Sequence, residues 1–205
     1  MSWQRQIHLK SPAELQIMRE AGRINANVLA TVNELLKPGV STADLNAAAE
    51  EVLKKHGCVS PFKGYGHPPF PASITVSINQ ELVHGIPTKK RKLKTGDIVS
   101  IDCGTILEGF VADSAFTAGV GEISPEARNL LEVTNGALAS AIDKMRVGNR
   151  TGDVSEAIQK HVESRGFFVT REYTGHGVGR QMHEGPQVPN YGRAGTGMPL
   201  KAGMT

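Results

Sequence analysis

The stretch Gly39-Val40-Ser41-Thr42-Ala43-Asp44-Leu45-Asn46-Ala47-Ala48 returns at an offset of 109 residues as Gly148-Asn149-Arg150-Thr151-Gly152-Asp153-Val154-Ser155-Glu156-Ala157. Gly39, Thr42, Asp44 and Ala48 meet Gly148, Thr151, Asp153 and Ala157, and beyond the stretch Gly57 meets Gly166. Each copy reads as a glycine turn, a polar helix start and a glycine stop. Two further landmarks recur in the same order at looser spacing. His84-Gly85-Ile86 is echoed by His176-Gly177-Val178, and Leu93-Lys94-Thr95-Gly96 by Leu200-Lys201-Ala202-Gly203. An ordered series of echoes marks an internal duplication, so the expectation is an α+β fold of two halves, each giving helices and antiparallel strands.

Working outward, Ser11-Pro12-Ala13-Glu14 reads as an N-cap, a proline at the first helical position and an acidic residue at N3. It predicts a helix to about Leu36, ended by Pro38-Gly39. A second helix is expected from a start at Ser41 or Thr42 through 44–55, with Leu45, Ala48, Ala49 and Val52 at helical spacing. Residues 73–78 (SITVSI) and 97–103 (DIVSIDC) have the β-branched content of strands. Ser124-Pro125-Glu126 then opens another helix. The duplication predicts that helices near 12–36 and 43–56 correspond to helices near 125–146 and 153–165, packed on one side of a curved antiparallel sheet.

Composition narrows the function classes. At 205 residues and 39% apolar content the chain can bury one sizeable core, and a single domain over 1–205 is expected, with halves of about 11–120 and 124–205. No apolar stretch reaches the about 18 residues a membrane helix needs, and MSWQRQIHLKSPAEL lacks the apolar run of a signal peptide. A cytoplasmic protein without membrane contact is the expectation, and Cys58 and Cys103 fit a reducing compartment as two ordinary thiols. Net charge is +3, but Lys89, Lys90, Arg91, Lys92 and Lys94 supply five positive charges, so the remainder sums to −2. The basicity is local, reads as a solvated loop, and does not support a nucleic-acid function by itself.

The segment Asp102-Cys103-Gly104-Thr105-Ile106-Leu107-Glu108-Gly109-Phe110-Val111-Ala112-Asp113 reads as a hairpin with its turn near Leu107-Glu108. Symmetric pairing about that turn sets Asp102 opposite Asp113, where like charges about 5 Å apart destabilise a sheet. Asp102 is flanked by Val99, Ile101 and Cys103, so an unpaired charge there is costly. Carboxylates so placed share a proton or bind a divalent cation. His176, inside Thr174-Gly175-His176-Gly177-Val178-Gly179, offers an imidazole with close backbone access. Oxygen ligands with one imidazole suit Mn, Fe, Co or Zn.

At this point three segments resemble the signature segments of type I methionine aminopeptidases, in order and over nearly the whole chain. They are Val83-His84-Gly85-Ile86-Pro87, Gly96-Asp97-Ile98-Val99-Ser100-Ile101-Asp102, and 173–188, YTGHGVGRQMHEGPQV. The resemblance implies a pita-bread fold, and hydrolysis of the initiator methionine from nascent proteins by water activated at a dinuclear centre of two divalent metal ions (Co, Mn, Fe or Zn). It implies that Asp102, bidentate, and Asp113, bridging, bind the metals with His176. His84 and His183 would flank the scissile bond, His183 hydrogen-bonding the substrate and stabilising transition-state charge, His84 contacting the substrate backbone. Tyr65, Phe70 and Met182 would line the methionine slot. Nascent polypeptide N-termini are the implied partners, with a transient ribosome contact, and the chain is expected to be a monomer.

The family also carries a glutamate, ligand and general base, in the strand matching that of Asp102, and a second glutamate ligand farther on. The echo of Lys94 at Lys201 places the first at about position 209, past Thr205. The sequence therefore reads as a C-terminally truncated member with its last strands missing, expected to be inactive alone. The alternative is a non-catalytic pita-bread module that binds peptides or the ribosome. A prolidase-like dipeptidase is disfavoured by His84-Gly85-Ile86-Pro87.

Overall fold

Ser11 N–H donates to Glu14 Oε2 at 2.9 Å and Glu14 N–H to Ser11 Oγ at 3.3 Å. This reciprocal cap opens α1, Pro12–Glu34. In the computed structural model, which describes residues 7–205, α1 is followed by α2 (Thr42–Lys55), β1 (Ile74–Ile78), β2 (Ile98–Leu107) and β3 (Phe110–Gly119). Then come α3 (Pro125–Lys144), α4 (Thr151–Glu163), β4 (Thr174–Gly177) and β5 (Glu184–Pro189). α1 ends just short of Leu36 because its last turn tightens: Leu35 N–H reaches Val32 O and Leu36 N–H reaches Asn33 O, both at 3.1 Å.

The chain divides into two compact units, one of Gln16–Arg128 and one of Met1–Leu15 with Asn129–Thr205. In the first, β1, β2 and β3 form an antiparallel sheet in that order. Alternate residues Ile74, Val76 and Ile78 of β1 and Val99, Ile101 and Cys103 of β2 share a buried cluster with Ile24, Val28 and Val32 of α1 and Leu45, Ala49 and Leu53 of α2. The period of two along the strands and of three to four along the helices makes those faces coincide. In the second unit β4 and β5 pair antiparallel, and Val133 and Ala137 of α3 meet Val162 of α4 in a smaller core. The N-terminal residues join this unit through contacts that span most of the chain's length. Lys10 N–H donates to Gly203 O at 2.8 Å, and Ile7 bridges Gly185.

The duplication is visible in the backbone. Leu93 N–H donates to Val40 O at 2.9 Å, and Leu200 N–H to Asn149 O at 2.8 Å. Thr42 N–H donates to Arg91 O and Thr151 N–H to Met198 O, each at 2.9 Å. Repeated glycines take the left-handed conformation in pairs: φ is 89° and 100° at Gly39 and Gly148, 67° and 82° at Gly57 and Gly166, and 93° and 87° at Gly96 and Gly203. Glycine is needed there because a Cβ disfavours that region.

One expected register is corrected. Leu107 pairs with Phe110, leaving Glu108 (φ 49°) and Gly109 (φ 78°) as a two-residue turn with both φ positive. The turn lies one residue later than expected, because Glu108-Gly109 accepts the primed turn that matches strand twist and Leu107 stays in the strand. Asp102 therefore pairs with Ala115, and Asp113 with Gly104. The register moves by two, side-chain parity is kept, and both aspartates remain on one face as diagonal neighbours.

Candidate metal centre

Asp102 and Asp113 project from the sheet face opposite the apolar cluster. Thr75 pairs with Asp102 from β1 and Ser77 faces Ser100 two pairs farther along, so this face is polar where the other is apolar. The two carboxylates are in hydrogen-bonding contact. Burial first, then the charge and hydrogen bond of Asp113, push the Asp102 carboxyl up to about 7. Burial and the two aspartates raise the Cys103 thiol as well, so it stays a neutral core group. Near neutral pH such a pair holds a proton or a cation.

From the apolar side, Asn25 of α1 fixes this part of the hairpin. Its Nδ2 donates to Cys103 O at 2.9 Å and to Ser114 Oγ at 2.7 Å, while its Oδ1 accepts from Thr105 Oγ1 at 2.8 Å. Cys103 and Ser114 are paired across the strands and adjoin the two aspartates. Sequence reasoning missed Asn25, although an amide within the apolar stripe Ala21, Ile24, Val28, Val32 was a usable signal.

His84 sits in the same unit at φ 62°, on a loop pinned to β1. Gly85 N–H donates to Ser77 Oγ at 3.1 Å, and Val76 N–H donates to Gly85 O at 2.8 Å. Tyr65 and Phe70 close a small loop, Phe70 N–H donating to Tyr65 O at 2.8 Å. Tyr65 is exposed and Phe70 half-buried.

His176, His183 and Met182 belong to the other unit. His176 lies on β4 at an irregularity where pairing shifts between His176 and Gly177, the kind of bulge that re-aims a side chain. Its Nδ1 lies 3.0 Å from Gly177 O. A carbonyl only accepts, so Nδ1 is the donor in this contact. The rings of His176 and His183 lie 4.4 Å apart, centroid to centroid. Met182 and His183 are half-buried in the link between β4 and β5.

Sequence reading also passed over a buried ion pair in this unit. Lys10 Nζ donates to Glu184 Oε2 at 2.7 Å, with the two side chains 4% and 3% exposed. Glu184 lay inside the 173–188 signature; nothing in the sequence linked it to Lys10.

Among the described residues no group of three or more His, Cys, Asp or Glu side chains is assembled as a cation site. The donor set within the first unit is the Asp102–Asp113 pair. Adjacent carboxylates whose mutual repulsion is relieved by a positive charge fit a divalent ion. No helix of the described residues is long and apolar enough to cross a membrane.

Comparison with known proteins agrees with this chemistry. Residues 16–205 match metallopeptidase family M24. A methionine aminopeptidase of Clostridium acetobutylicum is 50% identical over 198 residues, 97% of this chain and 78% of that protein. Methionine aminopeptidase 1 of Bacillus subtilis is 50% identical over 195 residues, 95% of this chain and 77% of that one. The crystal structure of methionine aminopeptidase from Thermotoga maritima matches with a TM-score of 0.94 at 43% identity, covering 97% of this chain and 79% of that one. The chain belongs to metallopeptidase family M24 and, within it, to the methionine aminopeptidases. Its helices and antiparallel sheets are those of the pita-bread fold.

Proposed function

We propose that this chain carries most of the catalytic apparatus of an enzyme that releases the initiator methionine from nascent proteins in the cytoplasm. The observation that carries the reading is the Asp102–Asp113 pair, because two carboxylates pressed together on a partly buried sheet face serve no binding module and suit a cation. Asp102, Asp113 and His176 would hold two divalent ions, of Co, Mn, Fe or Zn. So held, the ions supply Lewis acidity and lower the pKa of water.

The remaining roles fall to side chains. His183 hydrogen-bonds the substrate and stabilises charge developing on the scissile carbonyl. His84 orients the substrate backbone from its loop on β1. Tyr65, Phe70 and Met182 give the methionine side chain an apolar surround. Asp102, Asp113 and His176 are three of the five protein ligands the resemblance implies, and none of the three is free to act as base. The 205 residues alone should therefore turn over slowly.

The test compares the 205-residue chain with the same chain continued by the C-terminal remainder of the Clostridium acetobutylicum relative, on a Met-Ala-Ser peptide with added Mn or Co. The continued chain is expected to release methionine, with the 205-residue chain about 10²- to 10⁴-fold slower, the usual effect of losing a general base. Comparable rates would show that another residue supplies the base.

A further inference from the structure

Lys10 and Glu184 are 174 residues apart in sequence and form a buried pair. Removing an ammonium and a carboxylate from water is costly, and such a pair adds little net stability. Its geometry indicates what it does. Glu184 Oε2 accepts from Lys10 Nζ at 2.7 Å, and Oε1 accepts from Gln181 N–H at 3.1 Å. The second bond closes the turn 181–184, which carries Met182 and His183. Gly179 N–H donates to Gln181 O at 3.2 Å in the same turn. A Cβ at Gly179 would lie 2.5 and 2.6 Å from the two Glu184 oxygens and 2.6 Å from Lys10 Cε, so the turn is fitted around the pair.

Lys10 is itself fixed. Its N–H donates to Gly203 O at 2.8 Å, and a Cβ at Gly203 would lie 2.9 Å from Lys10 O. The backbone of Lys10 is thus held against Gly203, and its ammonium by Glu184. His183 directly precedes Glu184, and its ring lies 4.4 Å from that of His176.

From this arrangement we infer that Lys10 and Glu184 are positioning residues for His183, the N-terminal segment acting as a strap that sets the imidazole of the substrate-facing turn. The inference rests on the role given to His183 above. Lys10 touches neither substrate nor metal in this scheme; it acts through Glu184 and the turn.

The test uses the 205-residue chain labelled with ¹⁵N-histidine, with the ring signals of His183 and His176 recorded by NMR in wild type, Lys10→Met and the double variant Lys10→Met/Glu184→Gln. His56 and His67, in the other unit, serve as references. Lys10→Met leaves the Glu184 carboxylate unpaired, and the His183 and His176 signals are expected to shift or broaden while the references hold. The double variant removes the charge and keeps an oxygen for Gln181 N–H, so it should return the signals toward wild type. It is also the informative variant if Lys10→Met alone fails to fold.

In the continued chain, Lys10→Met should lower kcat about 10²-fold, the cost of a misplacement of about 1 Å, with KM little changed. A loss of thermal stability with unmoved His183 and His176 signals would overturn the inference, as would a double variant that recovers nothing. Full activity in His183→Ala would instead overturn the catalytic reading, a result the NMR arm does not depend on.

Discussion

Asp102 stands diagonally across the β2–β3 pair from Asp113, on the same sheet face, with its own partner Ala115 and the partner of Asp113, Gly104, completing the square. In that position the two carboxylates share a hydrogen bond, and burial together with the charge of Asp113 raises the Asp102 carboxyl. The consequences extend to stability, to the loop bearing His84 and to the helix behind the sheet.

Without metal, the pair makes stability fall as pH rises. The Asp102 carboxyl moves from 3.8 to about 7 in the fold, so the folded state binds the proton more tightly than the unfolded state does. That contribution is fully present below pH 3.8 and lost as pH rises through about 7, at most about 4 kcal/mol by the size of the shift. Chelator-treated protein should lose urea resistance between about pH 4 and pH 7, the interval between the unfolded and folded values of Asp102. Asp102→Asn should flatten the slope and exceed wild type above pH 7, whereas a parallel slope in the variant would place the titration elsewhere.

Gly85→Ala should dislodge His84. A Cβ there would overlap Val76 O and lie 2.7 Å from Val76 C, both backbone atoms of a central pairing that cannot swing aside. The expected cost is about 1–3 kcal/mol, with a raised KM for methionyl peptides in the continued chain. Unchanged stability and KM would mean that the loop relaxes freely.

Asn25→Leu should destabilise the first unit by about 2–4 kcal/mol, because it strands the buried Thr105 hydroxyl and the Cys103 carbonyl. Adding Thr105→Val removes one of the orphaned groups, and equilibrium unfolding should show part of the loss recovered. A strictly additive double variant would deny the hydrogen-bonded link between Asn25 and Thr105.

Much of this was legible in the sequence where a local rule had one answer. Ser11-Pro12-Ala13-Glu14 could hardly be other than a cap, and the paired glycines of the two halves are where the backbone takes positive φ. The hairpin was legible to within one residue, since Leu107-Glu108 and Glu108-Gly109 are both plausible turn centres until strand twist selects the second. Parity survived that error, so the shared face of Asp102 and Asp113 did too. The Asn25 network and the Lys10–Glu184 pair were not legible, because each joins residues 78 to 174 positions apart that no period or motif connects. The short strand of His176 was also hidden: Thr174-Gly175-His176-Gly177 has no strand propensity, and its pairing with β5 is set by tertiary contacts.

The most direct measurement of the central claim is a manganese titration of the 205-residue chain, following the free-ion EPR signal in wild type and in Asp102→Asn/Asp113→Asn at pH 7.5, a value chosen to lie about half a unit above the Asp102 titration. Wild type should bind manganese, more tightly as pH rises through about 7, and bound metal should restore the stability that the metal-free chain loses over that range. The double variant should leave the ion free. Equal binding by wild type and double variant would contradict the assignment of the metal centre to Asp102 and Asp113.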